Sequence, residues 1–259
     1  MEMKKYVSAD DVRSGNSLEK IVHFCAFGGL LFSLLGTGVI WGGTDSFHLP
    51  DSVWEASLCV NAILFIANYI CYFPFRKTDK LLGNGLLSLI VILNVFWLIG
   101  FSSYYFYFIF APMDKLLRII ALSAVTILLV HQSYLIHKDI KIASLNKKLF
   151  DKMYVDEGNA IMFTRKSVAY MEDAKPARNP FKSYHLYAAM IMAPLTLVLN
   201  RVFTPIVGDG NGVFIVVGFL SIPMMQWGMG LFVQTAMLMV YYPIKLQRET
   251  GKPVLMKDW

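Results

Sequence analysis

Two ionisable residues, Glu55 and Arg201, lie inside long apolar stretches of this 259-residue chain. Charged groups in the hydrocarbon of a membrane are costly, and they often mark ion pathways or coupling sites. Each lies a few residues from the outer end of its stretch, so the two side chains are predicted to form an ion pair. Such a pair serves either as a gate or coupling element in a transporter or as a structural tie. The nearby interface, where long side chains reach water, favours the tie.

Three amide side chains lie nearer the middle of apolar stretches: Asn61, Asn94 and Gln226. If they converge, they form a polar interior that coordinates a solute. Amides also join membrane helices through ordinary hydrogen bonds worth about 0.6 kcal/mol each. The sequence favours this joining role and leaves the polar interior as the alternative.

Two prolines, Pro194 and Pro223, are predicted to break membrane helices. Broken helices expose backbone carbonyls and helix ends, which many transporters use to bind their substrates. Proline is also tolerated in ordinary membrane helices, so these positions alone do not establish transport.

Small residues recur at four-residue steps in the first apolar stretch, at Gly29, Ser33 and Thr37. This spacing places them on one helix face, where the backbone of another helix can approach closely. We predict a helix-packing face. Packing within the chain is favoured, and self-association through the same face is the alternative.

Motifs of catalysis are missing from the sequence. It contains no phosphate-binding loop, no H-E-x-x-H pattern and no nucleophile elbow. The histidines lack the spacing of metal ligands, and the three cysteines lie within apolar stretches. We therefore expect a protein without enzymatic activity, without a bound metal and without a cofactor.

Six apolar stretches are long enough to cross about 30 Å of hydrocarbon. They are predicted at about 21–42, 52–74, 85–110, 116–137, 183–206 and 213–241. The predicted fold is an all-α, polytopic integral membrane protein with a bundle of six transmembrane helices. Its parts are a segment at 1–20, four helices in 21–137, a loop at 138–182, two helices in 183–241 and a tail at 242–259.

Positive charge is concentrated between these stretches. Of the 24 lysines and arginines, 21 fall before residue 21, between 75 and 84, between 138 and 182, or after 243. Because translocated loops are poor in positive charge, both termini and these loops are predicted to be cytoplasmic. This positive-inside rule, together with the attraction of basic residues to anionic lipids of the inner leaflet, explains the net charge of +6. A nucleic-acid partner is therefore not needed to explain it. The compact chain and its lack of a signal-peptide pattern favour a bacterial inner membrane.

The loop at 138–182 is predicted to begin with a basic amphipathic helix at 138–154. Its apolar residues share one face, and the remainder carries Lys141, Lys147, Lys148 and Lys152. This helix either lies on the inner membrane surface or continues the fourth span, and its lysines are candidates for docking or lipid binding. The segment after the following turn forms either a short hairpin strand or a second small helix.

Two functions remain open from the sequence. The favoured one is a non-catalytic protein that acts by contact with another membrane protein, or by self-association. Subunits or assembly factors of secretion or conjugation machines, and immunity or exclusion proteins, are of this kind. The alternative is a channel or a transporter of small solutes or ions. Polar groups that line one cavity would favour transport, whereas polar groups at separate helix contacts would favour the contact function.

Overall fold

The computed structural model describes residues 17–76, 78–164, 180–181, single positions between 187 and 202, and 211–257. Five helical stretches in these residues are long and apolar enough to cross a membrane. Their bounds are Ile21–Ser46, Ser52–Phe75, Leu81–Phe110, Lys115–Leu145 and Phe214–Thr250. The predicted bundle of membrane helices is therefore confirmed in outline. Most of the stretch predicted at 183–206, and residues 1–16, lie outside the described residues.

The helices and strands follow one another along the chain in a simple order. The first half contains α1 (Ser17–Ser46), α2 (Ser52–Tyr72), α3 (Leu81–Phe96), a π-helical segment (Trp97–Tyr105), α4 (Phe106–Phe110) and α5 (Lys115–Leu145). The remainder contains α6 (Lys147–Met153), β1 (Tyr154–Asp156), β2 (Ile161–Phe163), α7 (Asn211–Thr235), a second π-helical segment (Ala236–Tyr241), α8 (Tyr242–Thr250) and β3 (Val254–Met256). The three short strands are an addition to the predicted all-α fold.

Local sequence sets several of these boundaries. The Asp114 carboxylate caps α5 by accepting hydrogen bonds from the backbone N–H groups of Leu116 and Leu117, at 2.8 and 3.2 Å. Helix α8 ends at Gly251, whose φ of 71° is in the left-handed region that glycine adopts without strain. The start of α5 and the end of α8 are therefore set by residues that prefer these capping positions.

Helix α7 runs through Pro223 without interruption, so the predicted break at this residue is wrong. Neighbouring helices can compensate a proline in a membrane helix, and the chain departs from α geometry only further on, at the π-helical segment. Pro194 lies in a turn, among positions that are mostly outside the described residues.

The predicted helix at 138–154 is divided in two. Helix α5 continues the fourth span to Leu145, the backbone is extended at Asn146, and α6 begins at Lys147. For the segment that follows, the structure shows the hairpin strand at Ile161–Phe163, which pairs antiparallel with β1 and places Asp156 opposite Ile161. The part of this segment after residue 164 lies outside the described residues.

Candidate functional site

A small sheet module lies at one end of the bundle; we use this name for residues 147–164 and 242–257. Its strands are ordered β1-β2-β3, with β2 and β3 parallel and Phe163 opposite Met256. The N–H of Met256 also donates to the carbonyl of Asp79, at 2.9 Å, just before α3 begins. The module thus joins a loop, the C-terminal region and the start of α3.

The module has an apolar core that includes the ends of three long helical stretches. Leu81, Ile140 and Leu238 come from α3, α5 and the second π-helical segment. Their buried partners from the module are Met153, Tyr154, Ile161, Phe163, Tyr242, Val254 and Met256. Because residues distant in sequence share this core, the module is packed directly against the bundle.

Tyr154 links the sheet to the last span by a hydrogen bond. Its hydroxyl is buried and donates to the backbone carbonyl of Leu238, within the π-helical segment. Burial raises the pKa of Tyr154 well above its usual value, and the neighbouring Tyr242 adds to the rise. The hydroxyl therefore remains a proton donor throughout the physiological pH range. π-Helical turns are common at functional sites. The contact between Tyr154 and Leu238 is therefore a candidate for transmitting a conformational change from the module to the last span.

Two exposed ion pairs fasten the C-terminal region to the hairpin turn. The ammonium of Lys252 lies 2.5 Å from the Asp156 carboxylate, and that of Lys257 lies 2.5 Å from Glu157. The hydrogen bond from Lys252, with one from the backbone N–H of Gly158, holds the pKa of Asp156 below its usual range. These pairs connect the hairpin with the segment that follows α8.

The predicted docking lysines lie on the surface at this end of the bundle. Lys147, Lys148 and Lys152 are exposed on α6, and Lys141 is exposed near the end of α5. The opposite face of α6 packs Phe150 and Met153 against the module core. The structure therefore places three of the four lysines on one short, firmly seated helix.

A stripe of polar residues faces the interior of the bundle from α2. The buried residues of this helix are Ser57, Asn61, Asn68 and Tyr72. The Asn61 amide donates to the Thr37 hydroxyl at 2.8 Å, and the Ser57 and Thr37 hydroxyls lie 2.6 Å apart. The α1 and α2 spans are therefore joined by side-chain hydrogen bonds.

Asn94 approaches the same helix α1 from α3. A Cβ atom placed on Gly29 would lie 2.7 Å from Nδ2 of Asn94, so a larger residue here would require this amide to shift. Together with buried Ser33 and Thr37, Gly29 forms a face that contacts α2 and α3 of the same chain. The small residues predicted to pack thus make contacts within the chain.

The remaining predicted polar residues lie elsewhere. Gln226 is half-buried on α7, and in the described part of the chain no hydrogen bond connects it with Asn61 or Asn94. Glu55 and Arg201 are both exposed, and no ion pair joins them among the described residues. The Glu55–Arg201 pair stays a prediction.

The sequence interpretation missed two residues of this interior, Asn68 and Asn84, which are fully or almost fully buried. Asn68 could have been found from its spacing, because residues 61 and 68 are two helical turns apart on one face. Asn84 was assigned to a loop, whereas α3 begins already at Leu81. The buried polar interior therefore includes two asparagines, one on α2 and one on α3, that the sequence did not predict.

Comparison of the whole chain with known proteins assigns it to no family. No protein-family model matches the chain, and neither a curated protein nor a solved structure is detectably similar to it.

Proposed function

We propose that this chain is a non-catalytic membrane protein that acts by contact with another membrane protein, through the sheet module. The observation that carries the proposal is the apolar core that the module shares with the bundle. This core and the Tyr154–Leu238 hydrogen bond seat the basic helix α6 against the end of the bundle. A surface of fixed shape and charge is suited to recognising a partner, because little conformational freedom is lost on binding.

Within this proposal the chain crosses the membrane six times. The ends of α5 and of the last span share the module core, whereas Phe214, near the start of α7, stacks on Tyr107 at the far end of the bundle. The proposed sixth crossing would join these two ends of the bundle. The apolar stretch predicted at 183–206 is long enough for one such crossing.

The orientation within this proposal follows from charge. The module end of the bundle carries the lysines of α6 and the basic residues near Arg76 and Lys80. The positive-inside rule places this end in the cytoplasm, in a bacterial inner membrane, with both termini on the same side. Ile142 and Leu145, which are exposed beside the basic residues, would then lie at the lipid headgroups, as in the predicted amphipathic helix.

The partner that fits this surface presents acidic groups near the cytoplasmic side of the membrane. Subunits or assembly factors of secretion or conjugation machines, and the targets of immunity or exclusion proteins, meet this description. Long-range attraction between opposite charges would speed the encounter, and the rigid module would supply the specific contacts.

Charge reversal on α6 tests the proposal. We expect the triple variant Lys147→Glu, Lys148→Glu, Lys152→Glu to lose a stoichiometric partner that wild-type protein retains, at an unchanged amount in the membrane. The measurement is quantitative mass spectrometry of tagged protein captured from native membranes in mild detergent. The matched control is Lys245→Glu with Arg248→Glu, which reverses exposed charges on α8 of the same module. Equal recovery of the partner with the triple variant and with wild type would contradict the proposal.

Passage of a small polar solute through the bundle is the second candidate function. The buried polar stripe of α2 favours it, because polar groups at that depth are costly unless they have a role. Solute flux into proteoliposomes that is abolished by Asn61→Leu would support passage. Absence of flux with the wild-type protein would favour the contact function.

A further inference from the structure

The last span contains a proline at the point where it meets the sheet module. Proline has no backbone N–H, so Pro243 cannot donate a hydrogen bond to the preceding turn. In a π-helical segment the N–H of each residue bonds to the carbonyl five residues earlier, as that of Tyr242 does to Met237. The carbonyl that would pair with residue 243 in this pattern is that of Leu238. It therefore lacks the backbone donor that the pattern assigns to it.

The hydroxyl of Tyr154 donates to this same carbonyl. It comes from β1 of the sheet module, 84 positions away in the sequence, and the bond is buried. A buried carbonyl without a donor is costly, and so is a buried hydroxyl without an acceptor. The two groups therefore satisfy each other. The Tyr154 hydroxyl takes the place of the N–H that Pro243 lacks.

The ring of Tyr154 is positioned by aromatic neighbours within the module. Its centroid lies 4.8 Å from that of Phe150 on α6 and 5.3 Å from that of Phe163 on β2. Tyr154 and Phe163 are also paired in the sheet. Because these contacts direct the ring, the hydroxyl reaches Leu238 only while α6 and the hairpin are seated on the bundle. The position of the module therefore determines whether the Leu238 carbonyl has this donor.

The proline does not by itself select the π form of this segment. In α geometry the N–H of each residue bonds to the carbonyl four residues earlier, so residue 243 would then pair with Met239. Pro243 thus withholds a donor in either geometry, from Leu238 in the π form and from Met239 in the α form. Tyr154 donates to Leu238, the carbonyl that is deprived in the π form. Its hydrogen bond therefore favours the π form over the α form.

The residue after Leu238 contacts another membrane helix through its backbone. A Cβ atom placed on Gly85 would lie 2.7 Å from the carbonyl oxygen of Met239, so the backbone of α3 comes close to this carbonyl. A change of helical geometry at Leu238 would turn the Met239 carbonyl and alter this contact. The π-helical segment therefore connects the module with α3 as well as with the last span.

We propose that Tyr154 is a latch between the sheet module and the last span. Its hydroxyl replaces the N–H that Pro243 lacks, so that seating of the module and the π form of the last span stabilise each other. Such coupling is reciprocal, and a change imposed on either element shifts the other. Only the event that unseats the module, contact with a partner, rests on the proposed function. The coupling itself rests on contacts within the chain, so it can be tested without a partner.

A double-mutant cycle between Tyr154 and Pro243 tests the latch in lipid bilayers. Tyr154→Phe removes only the hydroxyl, and hydrogen exchange of the Thr164 amide, which donates to the Met153 carbonyl, reports on the module. We expect exchange to become about tenfold faster, as for the loss of one buried hydrogen bond. In a Pro243→Ala background the same substitution should have a smaller effect, because residue 243 then supplies an N–H to the preceding turn. Equal effects in the two backgrounds would show that Tyr154 and Pro243 act independently and would overturn the latch.

The NMR signal of the Leu238 carbonyl provides a second and direct readout. Labelling of leucine at the carbonyl carbon and of methionine at the nitrogen selects the peptide bonds of Leu-Met pairs. The chain contains two such pairs, Leu238–Met239 and Leu255–Met256. The second pair lies in β3 and serves as the internal reference. Loss of one signal in Met256→Leu assigns both.

The position of the Leu238 signal depends on whether the carbonyl accepts a hydrogen bond. We expect Tyr154→Phe to shift it and to leave the Leu255 signal in place. Tyr242→Phe is the matched control, because it removes a hydroxyl from the same core without removing the bond to Leu238. It should leave both signals in place. An unchanged Leu238 signal in Tyr154→Phe would overturn the proposal, and this result does not require Pro243→Ala to fold.

Discussion

The sheet module and the junction of α1, α2 and α3 have opposite interiors. The module encloses apolar side chains such as Phe163 and Met153 and exposes charges such as Asp156 and Lys257. The junction encloses glycine, serine, threonine and asparagine, while α1 and α2 expose large apolar residues. These include Phe24, Phe27, Leu31, Ile63, Ile66 and Ile70.

This difference follows from the solvent that each region meets. In water, burial of apolar surface is the main driving force of folding, so the module collects its apolar residues inside. In lipid there is no such force between helices, and association depends on close packing and on polar contacts. One chain therefore has two kinds of core, which should respond differently to mutation.

Removal of a large apolar side chain from the module should give the largest effect. Phe163 is 1% exposed, and Phe163→Ala should destabilise the module by about 3–5 kcal/mol. The measurement is hydrogen exchange of the amides of β2 and β3, which should lose protection while those of α1 keep it. Met162→Ala, at a half-buried neighbouring position, should cost less. Equal loss of protection in α1 would show that the two cores unfold as one.

Addition of a methyl group to the junction tests close packing, at a smaller expected cost. Gly29→Ala places a Cβ atom 2.7 Å from the Asn94 amide and should destabilise the bundle by about 1–3 kcal/mol. Gly28→Ala is the matched control, because nothing lies within 4 Å of a Cβ at this position. The melting temperatures in detergent should fall for the first variant alone. Similar values for both would contradict a close contact between α1 and α3.

Hydropathy and charge predicted the long helices because each span needs only one property, a sufficient run of apolar residues. The stretches at 21–42, 52–74, 85–110 and 116–137 therefore correspond to α1, α2, α3 to α4, and α5. The sheet was harder to predict, because strands of three residues have no readable alternation. The pairing of Ile161 with Val254 also joins segments that are distant in sequence.

The candidate site was predicted only in part, for a related reason. Asn61 and Asn94 stand out as polar residues in apolar stretches, but their partners depend on how the helices rotate against each other. The contact of Gly29 with Asn94 and the bond from Tyr154 to the Leu238 carbonyl are tertiary features. The π-helical geometry around Leu238 likewise has no sequence signal that we recognise.

A double-mutant cycle between Thr37 and Asn61 should reveal a weaker interaction. Thr37→Val and Asn61→Leu each remove one member of the hydrogen bond across α1 and α2. We expect a coupling free energy of about 0.6 kcal/mol, as found for hydrogen bonds between membrane helices. Unfolding in mixed micelles by added denaturing detergent measures it. Strictly additive losses would show that the two side chains do not stabilise one another.

The smallest effect is expected for the ion pair that closes the module. The Lys252 ammonium lowers the pKa of Asp156, so the pair stabilises the module above the ordinary pKa of an aspartate. This contribution should disappear as the pH falls through the lowered pKa, when the carboxylate is protonated. It should also weaken in high salt, because the pair lies at the surface and is reached by solvent.

Asp156→Asn is the corresponding variant, and exchange of the β3 amides is the measurement. The β3 amides of this variant should exchange faster than those of wild type at pH 7 in low salt. In acid this difference should vanish, because the wild-type carboxylate is then protonated and has lost the same charge. The amides of α1 should show no difference between this variant and wild type, since Asp156 and Lys252 belong to the module and not to the junction. A response in α1 equal to that in β3 would mean that the charge of the module controls the packing of the bundle, which would join the two regions into one functional unit.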